Sequence, residues 1–309
     1  MLKRLLLPAS LIALAVLWGV AFVAIKQGLR EVSPTTLAVL RFGIADLFLL
    51  GMLAAWPAAR PQLRRGDLWR VTVLGLTGVP LYHLALNWGE QRTSASVAAL
   101  IVATAPVMVA IGSATVLRER VTRRGVLGIA LAFGGVALLA FGGENGGART
   151  QVSGFVVALL APVAWAVYTI VAKPMIARIS SMQVTIAGVL TGSVMLLPFV
   201  TPSLVRETTR LSLEGWGWVF WLGAGGSAAG YLLFNYALAH MSATKVSVSI
   251  YMVPVVALLA AWLILSEPLG PAVGVAAAMV ITGVVLTQRG GVRAPAVAEP
   301  PPLEEPVAV

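Results

Sequence analysis

The chain has no cysteine, so neither a disulfide framework nor a thiolate metal centre can be built from it. Its two histidines, His83 and His240, are too few for a histidine-rich metal site. Charge is also scarce: 11% of residues are charged and 59% are hydrophobic, with a mean hydropathy of +0.91. A water-soluble surface needs far more charge than that. No strand-type alternation is present, which argues against a β-barrel. No Walker loop occurs, and the cluster Gly223–Gly226 lacks the strand–turn–helix setting of a nucleotide loop. These absences argue against an enzyme and leave no cofactor or metal to expect. They point instead to an integral membrane protein.

The net charge of +10 does not indicate nucleic acid, because the basic residues form no stripe interleaved with aromatics. They fall in short gaps between apolar runs, as membrane topology places them. With about 20 apolar residues needed per span, candidate helices lie near 5–26, 34–56, 68–89, 94–117, 124–142, 153–173, 181–200, 215–239, 244–266 and 269–288. Lys3-Arg4 ahead of the first run also resembles a signal peptide, but that run is longer than a typical signal core. One set of alternate gaps holds fifteen Lys and Arg, from Lys3 to Arg293, and the other holds six. The richer set carries both ends of a ten-span chain, so both termini are expected to be cytoplasmic. The stretch 289–309, with Pro300-Pro301-Pro302 and Glu304-Glu305, reads as a disordered cytoplasmic tail.

Sliding the chain on itself by 147–148 residues aligns Trp18 with Trp165 and Lys26 with Lys173. It also matches Gly75 with Gly223, Asn87 with Asn235, and Ser94-Ala95 with Ser242-Ala243. Pro106 meets Pro254, Glu119 meets Glu267, and Gly135 meets Gly283. The ordered set implies duplication. Each copy, 5–142 and 153–288, contains an odd number of spans, so the second enters the membrane from the opposite side. The expected fold is therefore all-α: ten transmembrane helices forming two inverted five-helix repeats around a central cavity.

Family-like stretches follow the same order: Trp18-Gly19-Val20-Ala21-Phe22, Leu40-Arg41-Phe42, Ala105-Pro106-Val107 and Arg118-Glu119-Arg120. Asn235-Tyr236-Ala237-Leu238, Val253-Pro254-Val255, Ser266-Glu267-Pro268-Leu269 and Gly283-Val284 complete the series. Over roughly residues 8–288 the chain resembles the drug/metabolite transporter superfamily, in its EamA-type branch with two tandem domains. That resemblance implies a ten-helix carrier of small metabolites or drugs, often an exporter, with cytoplasmic termini. Small exporters of the same superfamily carry a proton-exchanging glutamate in their first helix. Spans one and six here have no such carboxylate, so that mechanism does not carry over.

Arg41 and Asp46 are the charges placed within the expected spans, and charge in hydrocarbon is costly. Five residues apart, they lie about 140° apart on a helix and need different partners. Arg41 reads as a structural clamp or a coupling charge, and Asp46 as a structural pair or a proton-coupling group. His83 reads as a hydrogen-bonding residue or one that titrates near neutrality. Trp18, His83, Asn87, Trp165, Tyr168, Tyr231 and Asn235 suit a cavity that stacks on an organic solute and offers it a few hydrogen bonds. Pro80, Pro106, Pro162 and Pro254 are expected kinks. Glycines such as Gly188, Gly192, Gly226 and Gly230 are expected to permit close helix packing. Glu119 and Glu267 read as capping or interfacial groups.

The function expected is secondary transport: export of amino acids or related metabolites across the inner membrane by alternating access. Rival readings are an exporter of drugs or organic cations, and a non-transporting scaffold or receptor subunit. The expected partners are a small-molecule substrate, the bilayer and protons as coupling ion, with the chain a monomer or homodimer.

Overall fold

The computed structural model describes residues 2–116, 120–141, 152–240, 246, 252–290 and 292–293. Glu119, Ser242-Ala243 and nearly all of the tail lie outside these residues. Helices dominate. The helix α1 (Leu2–Gly28) is followed by α2 (Pro34–Ala55), which begins on a proline just after Ser33. The Ser33 side chain accepts from the Thr36 amide, and proline at the first helical position sacrifices no bond. Ser94, Ser180 and Ser212 cap α5 (Ala95–Val102), α10 (Ser181–Val194) and α12 (Leu213–Phe220) in the same way.

Three expected spans are interrupted, each four residues before a proline. Proline lacks the N–H that would bond to the carbonyl at i−4. Accordingly α3 (Leu68–Leu76) ends four residues before Pro80, and a wide π-type turn at Thr77–Leu81 leads into α4 (Tyr82–Gln91). In the same way α5 ends at Val102 before Pro106, and α6 (Ala105–Val116) follows. The helix α8 (Val152–Ala158) ends before Pro162, and α9 (Leu160–Ile176) follows. The π-type segment Trp221–Ala229, between α12 and α13 (Gly230–His240), has no proline; its sequence is rich in glycine instead. The remaining helices are α7 (Arg123–Phe141), the short polar α11 (Pro202–Arg210), α14 (Met252–Leu265) and α15 (Pro271–Gly290). The last of these continues into the stretch read as tail, and Val292–Arg293 pairs antiparallel with Arg120–Val121. The first tail residues are therefore held by the α6–α7 connection.

Among the described residues four stretches combine span length with high apolarity: Leu7–Gly28, Pro34–Ala55, Ala95–Gly112 and Ser153–Ile176. The side chains are distributed inside out for a soluble protein. Leu47, Leu127 and Leu263 are 64–71% exposed, while Asn87, Glu90, Ser227 and Asn235 are fully buried. The protein is a multi-pass, helical membrane protein. One close helix contact joins α7 and α15. A Cβ on Gly128 would stand 2.5 Å from the Gly283 carbonyl oxygen, and one on Gly283 would stand 2.5 Å from the Gly128 oxygen. Only glycine admits that approach.

At one end, Asp67 pairs with Arg178 and accepts from the Arg64 amide at 2.7 Å. The hydrogen bond from Arg178 and that amide hold its carboxyl below the usual carboxylate range. Gln183 donates to the carbonyls of Ala58 and Arg60, at 3.0 and 2.9 Å. Both contacts fasten the α2–α3 connection to the start of α10 and the loop before it.

Candidate solute-binding cavity

The interrupted helices turn a set of aromatic side chains towards one central space. Trp18 from α1, Tyr82 from α4, Trp165 from α9, and Tyr231 and Phe234 from α13 line it, together with Arg41 and His83. Trp18 and Trp165 meet edge to face with centroids 5.2 Å apart, and Trp165 lies 4.8 Å from Phe234 and 5.5 Å from Tyr231. Such geometry adds about 0.5–1.5 kcal/mol per pair beyond burial, so the walls are firm. Trp18 Nε1 donates to the Gly226 carbonyl at 2.9 Å, which satisfies the indole's polar atom.

Arg41 is 3% exposed. Its Nε donates to Ser227 Oγ at 2.8 Å, and its Nη1 lies 3.0 Å from His83 Nδ1. A guanidinium only donates, so Nδ1 must accept and the imidazole proton belongs on Nε2. Nε2 is 3.2 Å from the Tyr231 hydroxyl, which in turn donates to the Gly78 carbonyl inside the π-type turn. The four groups form one directional chain that fixes the His83 tautomer. Three of the five Arg41 N–H groups make no hydrogen bond among the described residues. Arg41 is the only charged side chain lining the cavity among the described residues, and no carboxylate joins it there.

The other candidates stand behind or away from this lining. Tyr168 stacks on Trp165 at 5.0 Å and accepts from Asn235 Nδ2 at 2.8 Å. Asn235 also donates to Thr185, at 2.7 Å, and Asn87 Nδ2 donates to the Pro34 carbonyl at 3.0 Å. Asp46 accepts from Ser193 Oγ at 2.9 Å. Arg41 and Asp46 thus take separate partners. Glu267 acts as a cap, but for a helix other than its own. Its carboxylate accepts from the Ala95 amide at 2.9 Å, the Ser96 amide at 3.1 Å and the Ser96 hydroxyl at 2.7 Å, all at the start of α5. To reach them the chain holds Ser266 at φ 54°, a left-handed backbone rare for residues with a side chain.

Sequence reasoning missed Tyr82, Phe234 and Ser227, although Phe234 is one helical turn from Tyr231. It also missed Lys26 and Glu90 as interior charges, because both lie within a residue or so of expected span ends. Lys26 Nζ donates to the carbonyls of Glu90 and Thr93. The Glu90 carboxylate is fully buried, and neither oxygen has a hydrogen-bond partner.

Apolar helices with their polar groups turned inward, around a cavity shaped for an organic solute, are the build of a membrane transporter. The profile of the EamA-like transporter family matches the chain twice in tandem, over residues 7–141 and 152–289. The chain belongs to the EamA-like transporter family. It is 35% identical over 280 residues to a probable terminal-alkyne amino-acid exporter of Streptantibioticus cattleyicolor, covering 91% of this chain and 92% of that one. It is 34% identical over 277 residues to an uncharacterized transporter of Archaeoglobus fulgidus, covering 88% and 95%. A protein of known crystal structure superposes with a TM-score of 0.62 at 21% identity, over 90% of this chain and 94% of that one. Its likeness bears on the fold.

Proposed function

We propose that the protein exports amino acids or closely related metabolites across the inner membrane, as a carrier of ten spans in two inverted repeats, 5–142 and 153–288. Both termini face the cytoplasm on this reading, which the bias of basic residues supports. The observation that carries the solute class is Arg41: one buried cation with spare donors, beside a neutral histidine and aromatic walls, and with no acid in the lining among the described residues. Such a site pairs with a carboxylate and leaves an organic cation without a counter-ion. The amino-acid exporter named above agrees with this reading, and the drug-exporter alternative lacks a comparable feature.

The inverted repeat draws support from contacts between its own matched residues. Trp18 touches Trp165, 147 residues later, and His83 bonds to Tyr231, 148 later. Asp46 bonds to Ser193, again 147 later. Positions exchanged by a two-fold operation touch each other only beside its axis. The axis would then run through the cavity, which both halves line, and a rocking motion about it exposes the site to each side in turn.

The test is flux through the purified protein in liposomes, with a panel of labelled amino acids and a cationic dye. Amino-acid flux that falls roughly tenfold or more in Arg41→Gln is expected. Dye flux without amino-acid flux, or no flux of any solute, refutes the reading.

A further inference from the structure

His83, Asn87 and Glu90 follow one another at i, i+4 and i+7, so they form a single stripe along α4, about 10 Å long. All three are buried, at 3%, 0% and 0% exposure. His83 lines the cavity, and so does Leu86, one turn before Glu90. Glu90 therefore stands just past the end of the lining. Along this stripe, hydrogen-bonding capacity is left unused: Asn87 Oδ1 and both Glu90 oxygens have no partner among the described residues. A buried carboxylate with no donor is expensive, and such a group within a membrane bundle marks an ion pathway more often than a clamp.

Lys26 does not account for it. In the second repeat Lys173 donates to the carbonyl of Leu238 at 2.7 Å, as Lys26 donates to that of Glu90 at 2.8 Å. Leu238 matches Glu90 at a shift of 148, so the lysine holds the end of the helix whether or not an acid is present. The matching stripe in α13 runs Tyr231, Asn235, Leu238 and ends in a hydrocarbon. Only the first repeat ends its stripe in an acid.

We propose that Glu90 is the proton-binding site of this transporter: a carboxylate that takes a proton from water on one side of the membrane and returns it to water on the other. The proton bonds to one carboxylate oxygen and leaves from the same oxygen, so the cycle needs no further reactant. His83 is unsuited to the task, since Arg41 and Tyr231 engage both of its ring nitrogens. Asp46 accepts a hydrogen bond from Ser193, whereas neither Glu90 oxygen has a partner among the described residues. The charged and titratable groups around Glu90 are Lys26 from α1, Glu267 from the α14–α15 connection, Arg41 from α2, and Tyr82 on its own helix. The α8 segment packed on α4 contributes none. Coupling to a solute rests on the transport reading above; proton binding itself does not.

The experiment therefore measures the proton first. Full-length wild type, Glu90→Gln and Glu90→Asp are titrated in detergent with a pH indicator, from roughly pH 5 to pH 9. Tryptophan fluorescence and melting temperature check that each variant is folded. Glu90→Gln is expected to bind about one proton fewer per chain, and Glu90→Asp to restore it at a shifted pH. Superposable titrations of wild type and Glu90→Gln overturn the proposal. So does stabilisation by sodium chloride over choline chloride that Glu90→Gln abolishes while the titrations coincide, since the site would then hold a metal cation.

In liposomes loaded with labelled amino acids, accumulation driven by a pH gradient is expected to fall roughly tenfold in Glu90→Gln. Equal pH-driven accumulation in both proteins overturns the proposal. If wild type moves no amino acid while Glu90→Gln still lacks the proton, the proton site stands and the amino-acid reading fails.

Discussion

Gly230→Ala tests whether the cavity wall is as tightly built as its geometry implies. A Cβ at position 230 would overlap Trp18 Nε1 and lie 3.0 and 3.2 Å from Cδ1 and Cε2 of the same ring. The indole cannot yield at its tip alone, because it is rigid and wedged between Trp165 at 5.2 Å and Phe234 at 5.5 Å. It must move as a whole and give up its 2.9 Å bond to the Gly226 carbonyl. Overpacking of this kind costs about 1–3 kcal/mol, and the lost bond adds roughly 0.5–1.5 kcal/mol. Alanine in place of glycine within a helix returns about 1 kcal/mol. The net expectation is a loss of about 1–3 kcal/mol, together with weaker solute binding as Trp18 is displaced. Gly43→Ala is the control: it also lies within a helix, and a Cβ there meets nothing within 4 Å. Thermal melts in detergent should move in opposite directions for the two variants, and the tryptophan emission should change in Gly230→Ala alone. A Gly230→Ala protein that melts at or above wild type, with unchanged solute affinity, would refute the packing described.

The contact between α7 and α15 gives a paired expectation. Gly128→Ala and Gly283→Ala each drive a methyl into backbone of the other helix at 2.5 Å, so both should destabilise the protein by about 1–3 kcal/mol and lower its melting temperature; a neutral result for either removes the close approach. Asp67 sets an acid-sensitive term. Because its carboxyl is held below the usual range, its contribution is complete above the unfolded value of roughly 3.9 and is lost as pH falls through the folded one. Asp67→Asn should therefore be less stable than wild type near neutrality and converge on it in acid; parallel curves contradict the pairing with Arg178. Glu267→Gln should cost about 1–3 kcal/mol and increase amide exchange at the start of α5, since a carboxylate taking three hydrogen bonds at a helix start is replaced by a neutral amide.

Much of this arrangement could be read in advance, and the reasons differ from residue to residue. The three breaks before Pro80, Pro106 and Pro162 follow from the missing N–H of proline, a local rule that tertiary structure did not override. The π-type segment Trp221–Ala229 follows no such rule, and its glycines signalled only close packing. Trp18, His83, Trp165 and Tyr231 line the cavity. Asn87 and Asn235 stand in the same group of candidates, yet they bond to Pro34 and to Tyr168 with Thr185, and Leu86 and Leu238 beside them line the cavity instead. Glu90 and Lys26 were hidden by a matter of one or two residues. Hydropathy fixes span ends only to within several residues, and at an end that margin separates a solvated loop charge from one sealed in the bundle.

The proposed repeat also explains which of its positions kept their identity and which diverged. Beside a two-fold axis a residue meets its own copy, so duplication sets every such residue against itself. Two tryptophans tolerate this by turning edge to face, as Trp18 and Trp165 do with ring planes 89° apart. Two aspartates would not, since like charges in a low-dielectric interior repel strongly. At that position the second copy has Ser193, which donates to Asp46. At the position matching His83 the second copy has Tyr231, whose hydroxyl meets His83 Nε2 and donates to the Gly78 carbonyl, ending the chain that begins at Arg41. On the proposed repeat, divergence beside the axis would place two directed hydrogen bonds where self-contacts would otherwise stand. On this view Ser193→Asp should be the more disruptive of the two symmetrising substitutions, and Tyr231→His the one that leaves the fold intact while loosening Arg41. Melting temperatures and solute affinities measured on both variants separate these outcomes, and a Ser193→Asp protein as stable as wild type would remove Asp46 and Ser193 from the axis.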